Sequence, residues 1–302
     1  MPEAVPSPVA DPAEQVAALE RRAERFAIPC GEGTMVWRRW GPEGGAAAPV
    51  LLLVHGAQGS WTHWFRNIPD LARTHTVWAP DIPGCGESAA VADDGPVREA
   101  IAEAFARGLR ELVGEGLPID AVGFSFGAIT LASLDVLHPG LLRRLVIVDA
   151  GGLHTPHGHF ELKRIKGLEG AERVAVLREN LLAFMLHDPA TADALTVHIH
   201  ATNIAQAGRR LNVGPLVLPD KLLTALPHVS AQVDAIWGDS DAPHPDPAVQ
   251  EAALRTAVPD LEFRVLPDAG HWAMYERPEA FDRALRELLA LPLRKGCGAR
   301  RG

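Results

Sequence analysis

Cysteine is scarce: Cys30, Cys85 and Cys297 are the only three in 302 residues. They are odd in number and far apart, which excludes a disulfide framework and gives no metal-ligand spacing. A reducing cytoplasm is the expected location. Tyrosine is scarcer still, with Tyr275 alone. A surplus of positive charge is also lacking. The 29 Lys and Arg are outnumbered by 38 Asp and Glu, for a formal net charge of −9, so nothing marks a nucleic-acid partner. No apolar run approaches the ~18 residues that cross a bilayer. Met1 to Ala10 has neither the basic segment nor the apolar core of a signal peptide. No membrane partner is expected.

Histidine is better represented, with 13. His154, His157 and His159 crowd into Gly-Leu-His-Thr-Pro-His-Gly-His. We read that run as a polar loop and assign no metal to it.

Hydrophobic residues make up 47% of the chain, enough for one large core. Asp11-Pro12 reads as an N-cap with proline at the first helical position, opening a helix to about Arg25 with Val16, Leu19 and Ala23 on one face. Two strands are expected around Gly31-Glu32-Gly33, then strands at Val50 to His55, Thr76 to Asp81, Ile119 to Phe124, Leu141 to Asp149, Val233 to Gly238 and Glu262 to Pro267. Helices fall between them, at Trp61 to Arg73, Pro96 to Val113, the run after Ser125, Pro247 to Ala257 and Pro278 to Leu291. Such alternation predicts an α/β fold with a mostly parallel, doubly wound sheet, and sites at the carboxyl ends of its strands. The alternation lapses over 153–228, which reads as an inserted helical cap. We therefore divide the chain into a partly helical N-terminal extension (1–25), a core (26–152 and 229–293), the cap (153–228) and a disordered basic tail (294–302).

Everything turns on Gly123-Phe124-Ser125-Phe126-Gly127. An apolar run enters it and a helix-forming run leaves it, the order strand, sharp turn, helix. Such a turn strains the serine backbone and admits only small neighbours. It lifts the hydroxyl to a helix N-terminus, where backbone N–H groups favour negative charge. Ser125 is thus a candidate nucleophile. The loop His55-Gly56-Ala57-Gln58-Gly59-Ser60 follows a central strand. The Ala57 and Phe126 N–H groups would make the two-donor hole that an oxyanion needs. Gln58, Phe124 and Trp272 are candidate pocket residues. Cys85 reads as small and incidental.

Over about residues 25–293 the chain resembles the α/β-hydrolase superfamily, in its serine-nucleophile branch. The resemblance is carried by His55-Gly56, Asp81-Ile82-Pro83-Gly84-Cys85-Gly86-Glu87-Ser88, the Ser125 elbow, Trp237-Gly238-Asp239-Ser240-Asp241 and Gly270-His271-Trp272 with Glu276-Arg277-Pro278. It implies an α/β-hydrolase fold, Ser125 as nucleophile, His271 as general base and Asp241 as the acid that orients it, with Asp239 and Asp149 as alternative acids. Haloalkane dehalogenases and epoxide hydrolases of this fold use an aspartate where Ser125 stands, and the latter also need cap tyrosines, so both activities are excluded.

Among serine members the chain resembles esterases and the hydrolases of meta-cleavage products, the latter through Phe65-Arg66-Asn67, Ala150-Gly151-Gly152-Leu153 and Phe184-Met185-Leu186-His187-Asp188. It departs from those carbon–carbon hydrolases at two places. Phe124 stands where they carry an asparagine. Ile199 or its neighbours stand where they carry an arginine, with Arg209 and Arg210 as possible substitutes. The expectation is a carboxylesterase acting on a small or medium ester, without cofactor. The alternatives are carbon–carbon hydrolysis of a vinylogous diketone, which makes the partner a small ester or ketone, and a non-hydrolytic small-molecule receptor.

Overall fold

The computed structural model describes residues 11–42, 48–92, 96–207, 216 and 219–294. Arg209, Arg210, the segment 1–10 and all of the tail beyond Arg294 lie outside these described residues.

Eight strands form one sheet: β1 (Glu24–Cys30), β2 (Gly33–Trp40), β3 (Val50–Val54), β4 (Thr76–Pro80), β5 (Ile119–Phe124), β6 (Arg144–Val148), β7 (Gln232–Gly238) and β8 (Phe263–Leu266). Their spatial order is β1-β2-β4-β3-β5-β6-β7-β8. β1 and β2 pair antiparallel, as do β2 and β4, and every later pair is parallel. Central strands of such sheets are covered on both faces, which is why β5 and β6 are buried at every position.

The side-chain period of two sorts the core into two layers. Leu52, Val54, Ala121, Leu145, Ile147, Ala235 and Trp237 face one layer. Leu51, Leu53, Val122, Phe124, Val146, Val148 and Ile236 face the other. The first layer is covered by α3 (Val97–Leu112) and α4 (Phe126–Leu137). The second takes the buried faces of α9 (Ala273–Glu276) and α10 (Pro278–Ala290), the latter of the length expected from the sequence to within a residue. α8 (Pro247–Ala257) crosses between β7 and β8.

Between β6 and β7 the described residues form no strand, and their regular elements are α5 (Gly170–Phe184), α6 (Ala194–Ala207), α7 (Lys221–Ala225) and a short 3-10 turn. The N-terminal helix α1 (Pro12–Glu20) is capped by the Asp11 carboxylate on Ala13 N–H. It stops at Glu20, short of Arg25, because Glu24 and Arg25 are taken into the ladder opposite Arg39 and Arg38.

The expected helix from Trp61 to Arg73 is a correction. It is a 3-10 turn, Trp61–Trp64, followed by a separate single turn α2 (Ile68–Leu71). A continuous helix would put Pro69 in its interior, where proline has no N–H to give and clashes with the preceding turn. Breaking at Asn67 moves Pro69 into a first turn, where it is tolerated. Asn67 then donates its amide to Met274 C=O and Asp282, both at 2.9 Å. No helix among the described residues is long and apolar enough to cross a membrane.

Candidate active site

Register brings the strand ends level. Val54 lies opposite Gly123, Phe124 opposite Val148, and Val148 opposite Ile236. The loops after β3, β5, β6 and β7 therefore open along one edge, and Ser125 stands at its centre. Its φ is 51° and its ψ −116°, a left-handed strain for a non-glycine residue. The turn is held by Ser125 N–H to Val148 C=O at 2.9 Å. A Cβ on Gly123 would come within 2.5 Å of the Ala128 backbone, and one on Gly127 within 2.4 Å of Val54 C=O. Both glycines are thus required by close approach of backbone, not by flexibility.

Three of the residues singled out in sequence meet here. Ser125 Oγ lies 3.3 Å from His271 Nε2. His271 Nδ1 lies 3.0 Å from Asp241 Oδ1. A carboxylate only accepts, so Nδ1 carries the proton and Nε2 turns a lone pair toward the serine hydroxyl. Burial opposes charge on Asp241, yet His271 and His244 facing it hold its carboxyl down to about 2. The other two acids face elsewhere. Asp239 accepts from Ser240 Oγ and the Ala269 N–H. Asp149 accepts from Gly238 N–H at 2.8 Å, and burial with the Asp241 charge nearby pushes its carboxyl well above the usual range.

The loop after β3 is fixed by His55. Ile82 N–H donates to His55 Nε2 at 2.8 Å, so His55 Nδ1 bears the proton and donates to Gly56 C=O at 2.7 Å. Gly56 N–H in turn approaches His63 Nδ1 at 3.3 Å. His63 is buried among His55, Phe124 and Trp272, and burial holds it well below the usual histidine range. Ala57 follows directly. Among the described residues neither its N–H nor that of Phe126, at the first position of α4, has a protein acceptor.

The rings of Phe124 and Phe184 flank His271, each at 5.1 Å between centroids, and Phe160 lies 4.8 Å from Phe184. Gln58 is exposed on its loop at φ 53°. Trp272 is wholly buried, donates to His63 C=O and stacks on Tyr275, so it props the histidine loop from the core side. Cys85 is buried, and burial pushes its thiol up to about 12.

Two roles were missed in sequence: Glu276 was quoted only as part of the motif after His271, and His244 was not singled out. Glu276 is buried and gathers three N–H groups, from Gly270 at 2.6 Å, His187 at 3.1 Å and Asp188 at 2.5 Å. It ties the His271 loop to the segment after α5. His244 donates from Nδ1 to Asp241 Oδ2 at 3.0 Å. Its three-residue spacing from Asp241 was the available signal, but only a turn in the chain makes that spacing meaningful.

Asp241, His244 and His271 bring three ligand-type atoms within 4.8 Å of one another. Both Nδ1 atoms are engaged in donating to the carboxylate, so the group reads as a hydrogen-bonded relay, not a ligand set. His154, His157 and His159 do not converge: His157 packs on His244, while His159 is exposed beside Glu161.

A strained serine, a histidine and an acid, presented in that chain order at the carboxyl edge of a parallel sheet, define the α/β class of hydrolases. The chain belongs to the alpha/beta hydrolase family, whose sequence profile matches residues 51–284. It is 27% identical over 258 residues to a 2-hydroxy-6-oxo-6-phenylhexa-2,4-dienoate hydrolase of Burkholderia cepacia, covering 80% of this chain and 87% of that one. It is 25% identical over 269 residues to a 2-hydroxy-6-oxononadienedioate/2-hydroxy-6-oxononatrienedioate hydrolase of Escherichia coli, covering 82% and 89%. In fold it is similar to the naproxen esterase of Bacillus subtilis, with a TM-score of 0.72 at 20% identity over 94% of this chain and all of that one.

Proposed function

We propose that the protein is a carboxylesterase that cleaves a small or medium ester through an acyl-enzyme on Ser125. The observation that carries the reading is the hydrogen-bonded chain Ser125–His271–Asp241 at a strained elbow. Ser125 Oγ attacks the ester carbonyl as His271 Nε2 takes its proton. The carbonyl oxygen, now negative, lies against the Ala57 and Phe126 N–H groups. His271 returns the proton to the departing alkoxide. Water then repeats the sequence on the acyl-enzyme, releasing acid and free serine. Asp241 holds the His271 tautomer and stabilises the imidazolium.

The helices over 153–228 serve as a cap on a core of 26–152 and 229–293, with 1–25 as an extension. Phe184 of α5 against His271 supports that role and gives the acyl pocket an apolar wall. Phe124 adds to the same wall, and Ile199 of α6 is buried. Such a wall suits an apolar acyl group. The buried free thiols of Cys30 and Cys85 fit a reducing cytoplasm.

A second reading, carbon–carbon hydrolysis of a vinylogous diketone on the same triad, is favoured by the names of the relatives in Burkholderia cepacia and Escherichia coli. A fluorophosphonate probe with peptide mapping, run beside short-chain p-nitrophenyl esters and a dienone, tests both. Labelling at Ser125 with ester turnover is expected, and Ser125→Ala removes both. Labelling with turnover of the dienone alone moves the assignment to the second reading. Absence of labelling overturns the triad.

The pH dependence has a defined sign. Asp241, held at about 2, stays ionised through the working range. Activity therefore rises with pH as His271 loses its proton and becomes a base. A flat profile between about pH 5 and 8 would count against His271 in that role.

A further inference from the structure

We propose that His244 is a positioning residue of this triad, holding Asp241 by its second carboxylate oxygen so that the first stays aimed at His271. The inference rests on the triad reading above. Asp241 is fully buried and His244 is 4% exposed. A turn closed by His244 N–H to Asp241 C=O at 3.1 Å sets the two side chains face to face. The acid then accepts two imidazoles at equal reach, His271 on Oδ1 and His244 on Oδ2, each at 3.0 Å.

A carboxylate bonded on one side only can turn about its Cβ–Cγ bond, and a buried oxygen left bare is costly. His244 removes both problems. It also takes part of the carboxylate's negative charge into the bond on Oδ2, away from the oxygen that faces His271. The surroundings of His244 are few. The His271 ring lies at 5.7 Å, and Trp237 of β7 at 5.9 Å. His157, from the segment after β6, lies at 5.5 Å, and that segment is pinned by Gly158 N–H to Pro243 C=O at 3.0 Å. Asp149 bears on Asp241 from the end of β6, and Asp246 caps α8 further along the same loop.

The test compares His244→Ala with His244→Asn, whose amide can still present a donor to Oδ2. With an ester turned over by the unmodified enzyme, His244→Ala is expected to lower kcat by about tenfold or more while KM changes by less than about twofold. Removing the donor leaves more negative charge facing His271. Its imidazolium is then favoured, and the acid limb of the rate profile moves up by about half to one pH unit. His244→Asn is expected to recover most of kcat and to return the limb. Thermal melts of each variant report folding. A folded His244→Ala with unchanged kcat and limb overturns the proposal. So does a well-folded His244→Asn as impaired as the alanine variant, a comparison that decides the matter even where the alanine variant is unfolded. Fluorophosphonate labelling of the unmodified enzyme separates the two levels. If Ser125 is labelled, the outcomes bear on His244 alone. If it is not, the triad reading falls and takes this inference with it.

Discussion

Asp282, on α10, is an acid at odds with its surroundings. Burial pushes its carboxyl up to about 7, with Asp70 adding to the shift and the Asn67 amide opposing it. The folded state thus prefers the protonated form. The stability that follows is fully present below the unfolded value, near 4, and is lost as pH climbs through about 7. Asp282→Asn removes the ionisation. We expect it to raise Tm by about 2–6 °C at pH 8, with the gain closing toward pH 4. Calorimetry at the two pH values measures this, and an equal shift at both would refute the titration as its cause. The same residue shows what the sequence concealed. Asp282 reads as one more polar position on an amphipathic helix, and only the break at Asn67, 215 residues away in sequence, brings an amide against it. Ser125 is the contrary case. Its strain is set by immediate neighbours, Gly123 and Gly127, so it was legible in five residues.

Elements show the same division. The alternation of strands and helices was readable because each strand is apolar in a local run and the parallel sheet buries it on both faces. The helix placed over Trp61 to Arg73 failed because apolar spacing outweighed one proline. The hold of the α5–α6 region on the sheet could not be read at all, since it depends on pairs far apart in sequence. Glu276 grips the segment after α5. Tyr275 hydroxyl meets Thr196 Oγ1 at 3.0 Å, and Ser60 and Thr62 hydroxyls both donate to Asn203 of α6, at 2.7 and 3.1 Å. Glu276→Gln leaves a single acceptor for three N–H groups. The expected cost is about 1–3 kcal/mol of stability, with kcat reduced because Gly270 adjoins His271. Urea denaturation and ester kinetics on one preparation check both, and a neutral result in each would mean that the three bonds are dispensable.

At the scale of the whole molecule, α1 joins regions that the sheet keeps apart. Leu19 is buried in the second core layer, and its carbonyl accepts from the Trp40 indole at 3.0 Å. Glu20 pairs with the buried Arg38, and the helix packs against α6. Deleting residues 1–20 is expected to cost about 3 kcal/mol in a urea titration, while leaving Ser125 open to labelling. An unchanged midpoint would show that α1 is not part of the cooperative unit.

That packing also has a temporal side. α1 and β1 leave the ribosome ahead of α6, and the α6 surface against which the helix rests is encoded about 180 residues later, on the order of ten seconds or more of synthesis. α1 must therefore wait, its face toward α6 uncovered, until α6 has emerged. A nascent chain stalled before α6 should be cut by protease near residue 20, and one stalled after β7 should resist.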